Sequence, residues 1–256
     1  MEIKSKDIIN EKIEIVINQI FDKQNFQNFL NFSSIFFNYS YKNQCLIYFQ
    51  RPDATLIAGK RAWNNNYHAE LIENYKPIFI LCPTLSKDKE KLEYNLQPAF
   101  DCKDTDYKYE PEYYKSEIIE VLIPSLKAIT GYDFIPVLRQ EENKASFNKA
   151  AGEFYYNEEL DEELVAVYCI TSYIKSLIED NIQANFVSYV VLKHFHLNTD
   201  HISFIFVSAL ADKSYEEKEA YIKQLQENSF VFISLLKEQI DRRLKYKKQK
   251  MQLRKV

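Results

Sequence analysis

Helical and strand-like hydrophobic patterns follow one another along this chain in blocks rather than in alternating pairs. Residues 7–22 place Ile9, Ile13, Val16 and Ile20 at helical spacing, with Ile8 and Phe21 beside the stripe. Residues 24–38 and 41–50 continue as apolar-rich helical segments, interrupted around residues 39–41. Pro52 ends the third segment, because proline cannot extend a helix and disfavours helical backbone at Arg51. Short apolar runs at 78–82 and 96–102 predict strands, joined by a charged connection over 85–91. A helix over 117–129 precedes further strands at 134–138 and 154–156. The pattern then predicts helices over 161–179, 183–196, 202–211 and 215–245, and Ser214 with Glu216 and Glu217 suits the start of the last. Segregated blocks of this kind favour an α+β fold over a parallel βαβ fold. The acidic, Tyr-rich stretch 104–115, with Pro111, reads as a surface loop and as the joint between two domains, 1–110 and 111–256.

Composition removes several function classes. The chain has 256 residues, 46% hydrophobic, enough for a sizeable core and too apolar for disorder. Three glycines in the whole chain leave no G-x-G-x-x-G and no Walker loop, so nucleotide binding through those devices is not expected. Four separated cysteines (Cys45, Cys82, Cys102, Cys169) without C-x-x-C argue against a zinc knuckle and a disulfide framework, and read as reduced thiols of a cytoplasmic protein. The charged start carries no apolar signal core, and no run is long enough to span a bilayer, so neither secretion nor a membrane partner is expected.

Charge is uneven. The net value is −4, yet eight Lys and Arg and no acid occupy residues 242–256, leaving the rest at −12. Residues 24–83 hold five basic and three acidic side chains, and residues 84–163 hold ten and nineteen. A nucleic-acid surface would therefore be local to the first 80 residues, to the tail, or to both. The tail reads first as a solvated helix end whose cations suit the helix dipole, second as a phosphate contact, and least as a membrane attachment, because few apolar residues accompany the charge.

The segment 39–63, YSYKNQCLIYFQRPDATLIAGKRAW, carries the most specific spacing: Ser40, Asn43, Gln44, Leu46, Ile47, Gln50, Pro52, Ala54, Thr55 and Trp63. In this pattern it resembles the N-terminal single-stranded-DNA-binding domain of ArdC-type antirestriction proteins. Residues 98–105 (PAFDCKDT), Gly152 with 154–156, and 184–199 resemble later parts of the same family, so the likeness spans about residues 10–235. The resemblance implies an α+β chain in which N-terminal helices with a small sheet precede a zincin-like small sheet and helical array. It also implies a polynucleotide face. In residue chemistry, the amides of Asn43 and Gln44 can pair with base edges or phosphates. Tyr41 and Trp63, with Tyr39, Tyr48 and Tyr67, offer rings for stacking, and Lys42, Arg51, Lys60, Arg61 and Lys76 offer phosphate contacts. Thr55 completes the set. The same amides could instead bond a turn, and the tryptophan could belong to the core.

Two departures matter. The family's glycine- and lysine-rich run after the tryptophan is replaced here by Tyr67, His68 and 73–77 (ENYKP), which predicts a different loop path. The family's second half normally places H-E-x-x-H on a helix, two histidines binding zinc and the glutamate acting as base. The matching helix here, 164–178, has no histidine: Ile174 and Ile178 stand at the histidine positions, Lys175 at the glutamate, and Asn185 near the later acid. His194, His196 and His201 with Asp200 form the one local histidine cluster, in poor register for a shared metal. The expectation is a non-catalytic protein without metal or cofactor. It would bind single-stranded DNA for a phage, plasmid or other mobile element, in antirestriction or in DNA transfer and replication. A host defence or replication protein is the other partner class considered. An inhibitor of a host defence nuclease and a cryptic metal-dependent hydrolase are the alternatives.

Overall fold

The computed structural model describes residues 6–85, 92–110, 112, 113, 115–138 and 145–253. The middle of the expected 85–91 connection, Pro111, and the tail beyond residue 253 lie outside them. By its own contacts the chain divides into two compact units, 1–110 with 207–223, and 111–206 with 224–256.

The first unit opens with three helices, α1 (Lys6–Ile20), α2 (Lys23–Ile35) and α3 (Tyr41–Gln50). Local chemistry sets two of their starts. Asp22 accepts from the Gln24 and Asn25 amides, and Ser40 accepts from Asn43 N–H at 3.4 Å. Three strands follow: β1 (Ile57–Ala58), β2 (Ile78–Leu85) and β3 (Leu92–Asp101), with the short helix α4 (Lys60–Asn66) after β1. All pair antiparallel in the order β1-β3-β2. β2 extends past the apolar run expected at 78–82 and runs through Pro83 to Leu85. It can do so because β2 is an edge strand, where a missing ladder donor is tolerated. One core packs Phe32, Phe36, Ile47, Ala54, Ile57, Ile78 and Ala99; a second packs Trp63, Ala69, Phe100 and Cys102.

In the second unit, α5 (Lys115–Thr130) precedes β4 (Asp133–Val137), β5 (Ala145–Asn148) and β6 (Glu153–Asn157). β6 is central, parallel to β4 and antiparallel to β5. β5 lies between the strands expected at 134–138 and 154–156, where no element was predicted. Gly152 enters β6 at φ +69°, a backbone conformation that favours glycine, and a Cβ there would press against the Tyr132 ring at 3.0 Å. Helices α6 (Glu162–Leu177) and α7 (Asn181–His194) follow, capped by Asp161 and Asp180. Tyr113, in the expected surface loop, is buried and its hydroxyl donates to Asp241 at 2.6 Å.

The helix expected at 202–211 shortens to α8 (Val207–Ala211), and α9 (Tyr215–Leu253) is longer than its pattern predicted. Ser214 and Glu217 start α9 as a reciprocal cap: Glu217 N–H donates to the serine hydroxyl at 3.3 Å, and Ser214 N–H donates to the glutamate at 3.0 Å. α8 and the first turns of α9 belong to the first unit, and the rest of α9 to the second.

Candidate nucleic-acid interface

The residues of the 39–63 motif bond mainly to their own fold. Asn43 is 8% exposed. Its amide donates to the Leu81 carbonyl at 2.9 Å and accepts from Leu81 N–H at 2.7 Å. Gln50 repeats the arrangement with Phe79, both bonds at 2.9 Å. Asn43 and Gln50 lie two turns apart on one face of α3, and Phe79 and Leu81 are alternate residues of β2, so both amides meet the same outward strand edge. Gln44 is buried and donates to the carbonyls of Phe36 and Tyr39 at 2.9 and 3.3 Å, holding the turn that precedes α3.

The following loop is fixed through carboxylates. Asp101, fully buried, accepts from Thr55 N–H at 2.7 Å and Lys103 N–H at 2.9 Å. Thr55 Oγ1 lies 3.0 Å from Cys102 Sγ. Arg51 grips Asp104 through both terminal guanidinium nitrogens, Nη1 and Nη2, and that charge-assisted pairing holds the arginine pKa up. Trp63 is fully buried, and its indole N–H donates to the Phe100 carbonyl at 2.9 Å.

These placements put most polar groups of the motif in bonds within their own unit. The polar atoms with which Asn43 and Trp63 would meet a polynucleotide are engaged inside the unit, and both amide donor bonds of Gln44 go to backbone carbonyls. Thr55 and Arg51 brace a loop, and Tyr41 donates to Glu219 at 3.1 Å. Gln50 belongs to the 39–63 motif, and Asp101 and Asp104 to the 98–105 segment, but none of the three was assigned a role; all join this framework. The signal that points to Gln50's role is its seven-residue offset from Asn43.

Several of the predicted cations and rings remain at the surface, together with the exposed acids Glu70, Glu73 and Asp106. Lys60, Arg61 and Lys76 are exposed, and none makes an ion pair among the described residues. Lys42 is half-buried, its ammonium 5.9 Å from the Tyr41 ring centre. Tyr75, 45% exposed, stands edge-on to Phe100 at 5.1 Å. Tyr67 and Tyr107, half-buried, close around Trp63 at 4.7 and 5.7 Å. Register relates these groups: Ala58 pairs with Phe100 and Ile78 with Ala99, so the chain reaches Lys60 and leaves Lys76 beside one stretch of β3. The loop between them makes its left-handed turns without glycine, at His68 (φ 52°) and Asn74 (φ 64°).

The second unit offers a different picture at the helix where the resemblance placed a metal motif. Ile174 is fully buried and Ile178 is 9% exposed, so both pack as core residues. Neither can ligate a metal, and the residues of α6 do not fit a zinc-type site. His201 lies 3.2 Å from Thr171 Oγ1, and Asp200 accepts from the Asn198 amide at 3.0 Å. Among the described residues no group of three or more His, Cys, Asp or Glu side chains could hold a metal ion. No helix among them is long and apolar enough to cross a membrane.

These features define an α+β chain whose first unit braces a small antiparallel sheet with a helix-borne pair of amides, followed by a mixed-sheet unit with a histidine-free helix. The fold is similar to that of a solved antirestriction protein. The chain superposes on the crystal structure of the Mn(II)-bound antirestriction ArdC protein from plasmid R388 with a TM-score of 0.50, at 10% identity, over 78% of this chain and 84% of that one. The metal-free structure of the same protein matches at a TM-score of 0.43 and 9% identity, over 78% and 85% of the two chains. No protein-family model and no curated protein sequence matches the chain.

Proposed function

We propose that this chain is an antirestriction-type protein that binds single-stranded nucleic acid through its first unit and performs no metal-dependent hydrolysis. The observation that carries the reading is the set of exposed cations Lys60, Arg61 and Lys76, without an ion pair among the described residues, in the same unit as the accessible rings of Tyr67, Tyr75 and Tyr107. Cations that track a phosphate chain, next to rings that accept bases of any identity, are the elements of sequence-tolerant single-strand binding. The shared fold supports the antirestriction setting, because the R388 protein is an antirestriction protein. Isoleucines at both expected ligand positions support the non-catalytic part.

The test is an anisotropy titration of the full chain with single- and double-stranded oligonucleotides at several salt concentrations. The expected result is a salt-sensitive preference for the single strand. A triple Lys60→Gln/Arg61→Gln/Lys76→Gln variant should flatten the slope of log affinity against log salt by about 2, at about 0.7 for each lost phosphate contact. No affinity for either oligonucleotide, together with stoichiometric capture of a host nuclease, would replace this reading with a protein inhibitor. A stoichiometric transition metal in the purified protein would restore the hydrolase alternative.

A further inference from the structure

We propose that the last turns of α9, from Arg242 onward, form a second docking surface on this chain, whose partner is the sugar–phosphate backbone of a nucleic acid. The proposal extends the nucleic-acid reading above to a surface on the other unit and can fail separately from it.

From Arg242 to Lys250 the helix carries six cations and no acid. Two of them seat it on α5: the Arg243 guanidinium donates to the Pro124 carbonyl at 2.8 Å, and Lys247 pairs with Glu120. The apolar side of the helix, Ile233, Leu236 and Ile240, is buried. What faces outward is Arg242, Lys245, Lys248 and Lys250, with Tyr246 at 66% exposure. Arg242 pairs with Glu238 in an exposed i,i+4 contact, which is weak and readily exchanged.

The carboxylates facing this surface are largely committed elsewhere. Glu112 pairs with Lys237, while Asp241 takes the Tyr113 hydroxyl at 2.6 Å and lies 3.6 Å from the same lysine. Glu117 is the remaining acid in the groove that Lys245 and Lys248 line. Lys245, Lys248 and Lys250 make no ion pair among the described residues. Like charges crowded on one helix repel, a cost that an external polyanion removes. Arg242 to Lys250 covers about 12 Å of helix, enough to meet several phosphates of one strand. An anionic membrane fits less well. An interfacial helix needs a row of apolar side chains beside its cations, and between Arg242 and Lys250 only half-buried Leu244 and exposed Tyr246 could supply one.

The test uses the full chain and a Lys245→Gln/Lys248→Gln/Lys250→Gln variant, compared by oligonucleotide anisotropy from roughly 50 to 200 mM salt. These side chains are exposed, so the thermal midpoint should hold. The expected result is a salt slope shallower by about 2 on single strands, with at least a several-fold loss of affinity at the lowest salt. If only the tail variant changes binding and the Lys60, Arg61 and Lys76 variant does not, this proposal stands and the first-unit reading falls. If the tail variant keeps the wild-type slope, the tail is a solvated helix end and the proposal is overturned. Co-sedimentation with vesicles of phosphatidylcholine and phosphatidylserine that is lost in the tail variant, with oligonucleotide binding unchanged, would assign the surface to a membrane and overturn it as well.

Discussion

Asn43 treats Leu81 as a neighbouring strand would: its amide donates to the leucine carbonyl at 2.9 Å and accepts from the leucine N–H at 2.7 Å. With Gln50 doing the same to Phe79, helix α3 supplies hydrogen bonds to the outward edge of β2, an edge that would otherwise offer unpaired backbone groups to another chain. Asn43→Ala should destabilise the protein by about 1–3 kcal/mol, because it leaves strand donors and acceptors without partners. Gln50→Ala should act in the same direction, and the double variant should expose the edge and aggregate on warming. Denaturant melts and light scattering read these effects. Single-strand affinity measured while the variant is folded should be unchanged, and a large loss would return Asn43 to the binding surface.

Trp63 is the one tryptophan of the chain and is fully buried, with its indole N–H bonded to Phe100. Its emission should be blue-shifted and poorly quenched by acrylamide until unfolding. Saturating oligonucleotide should leave the quenching constant nearly unchanged. Strong quenching by the oligonucleotide would mean that bases reach the indole.

Alkaline pH should weaken the fold. Burial pushes the Cys169 thiol from 9.0 up to about 12, and pushes Cys45 in the same direction. Burial likewise raises the Tyr39 hydroxyl to about 12. The folded chain holds the neutral thiols while the unfolded chain ionises them. Stability is therefore full below the ordinary thiol value and falls as pH rises from it toward the folded one. The slope is about 1.4 kcal/mol per pH unit for each thiol. Urea midpoints measured between about pH 8 and pH 10 should fall, and Cys169→Ala should make the fall shallower.

His68 is exposed and sits at φ 52°. A β-carbon strains this backbone, and glycine does not. His68→Gly should stabilise the protein by under about 1 kcal/mol, since glycine's greater freedom in the unfolded chain offsets part of the gain. Asn74→Gly should gain less, because asparagine tolerates left-handed backbone. A thermal melt of each variant checks the order.

Much of the fold was legible in the chain. Periodicity located α1, α2, α3, α5, α6, α7 and the body of α9, because a buried stripe must recur every three or four residues wherever a helix covers a core. Cap chemistry at Ser214 was readable for the same local reason. β1, α4 and β5 were not foreseen: a two-residue strand has no period, and β5 is defined by its pairing with β6 rather than by its own side chains.

The sequence by itself determined the order of the longer helices and of β2, β3, β4 and β6, the absence of histidine from α6, and the separation of a basic tail from an acidic body. It could not assign Asn43, Gln44 and Trp63. An amide pairs as well with a strand edge as with a base, and an indole packs as well in a core as under a nucleotide; local spacing is identical in both cases. Only the tertiary structure decided, by bringing β2 against α3 and the Phe100 carbonyl over Trp63. Exposure of Lys60, Arg61 and Lys76 was decided there too, because a cation becomes a contact only where no carboxylate of its own chain reaches it first.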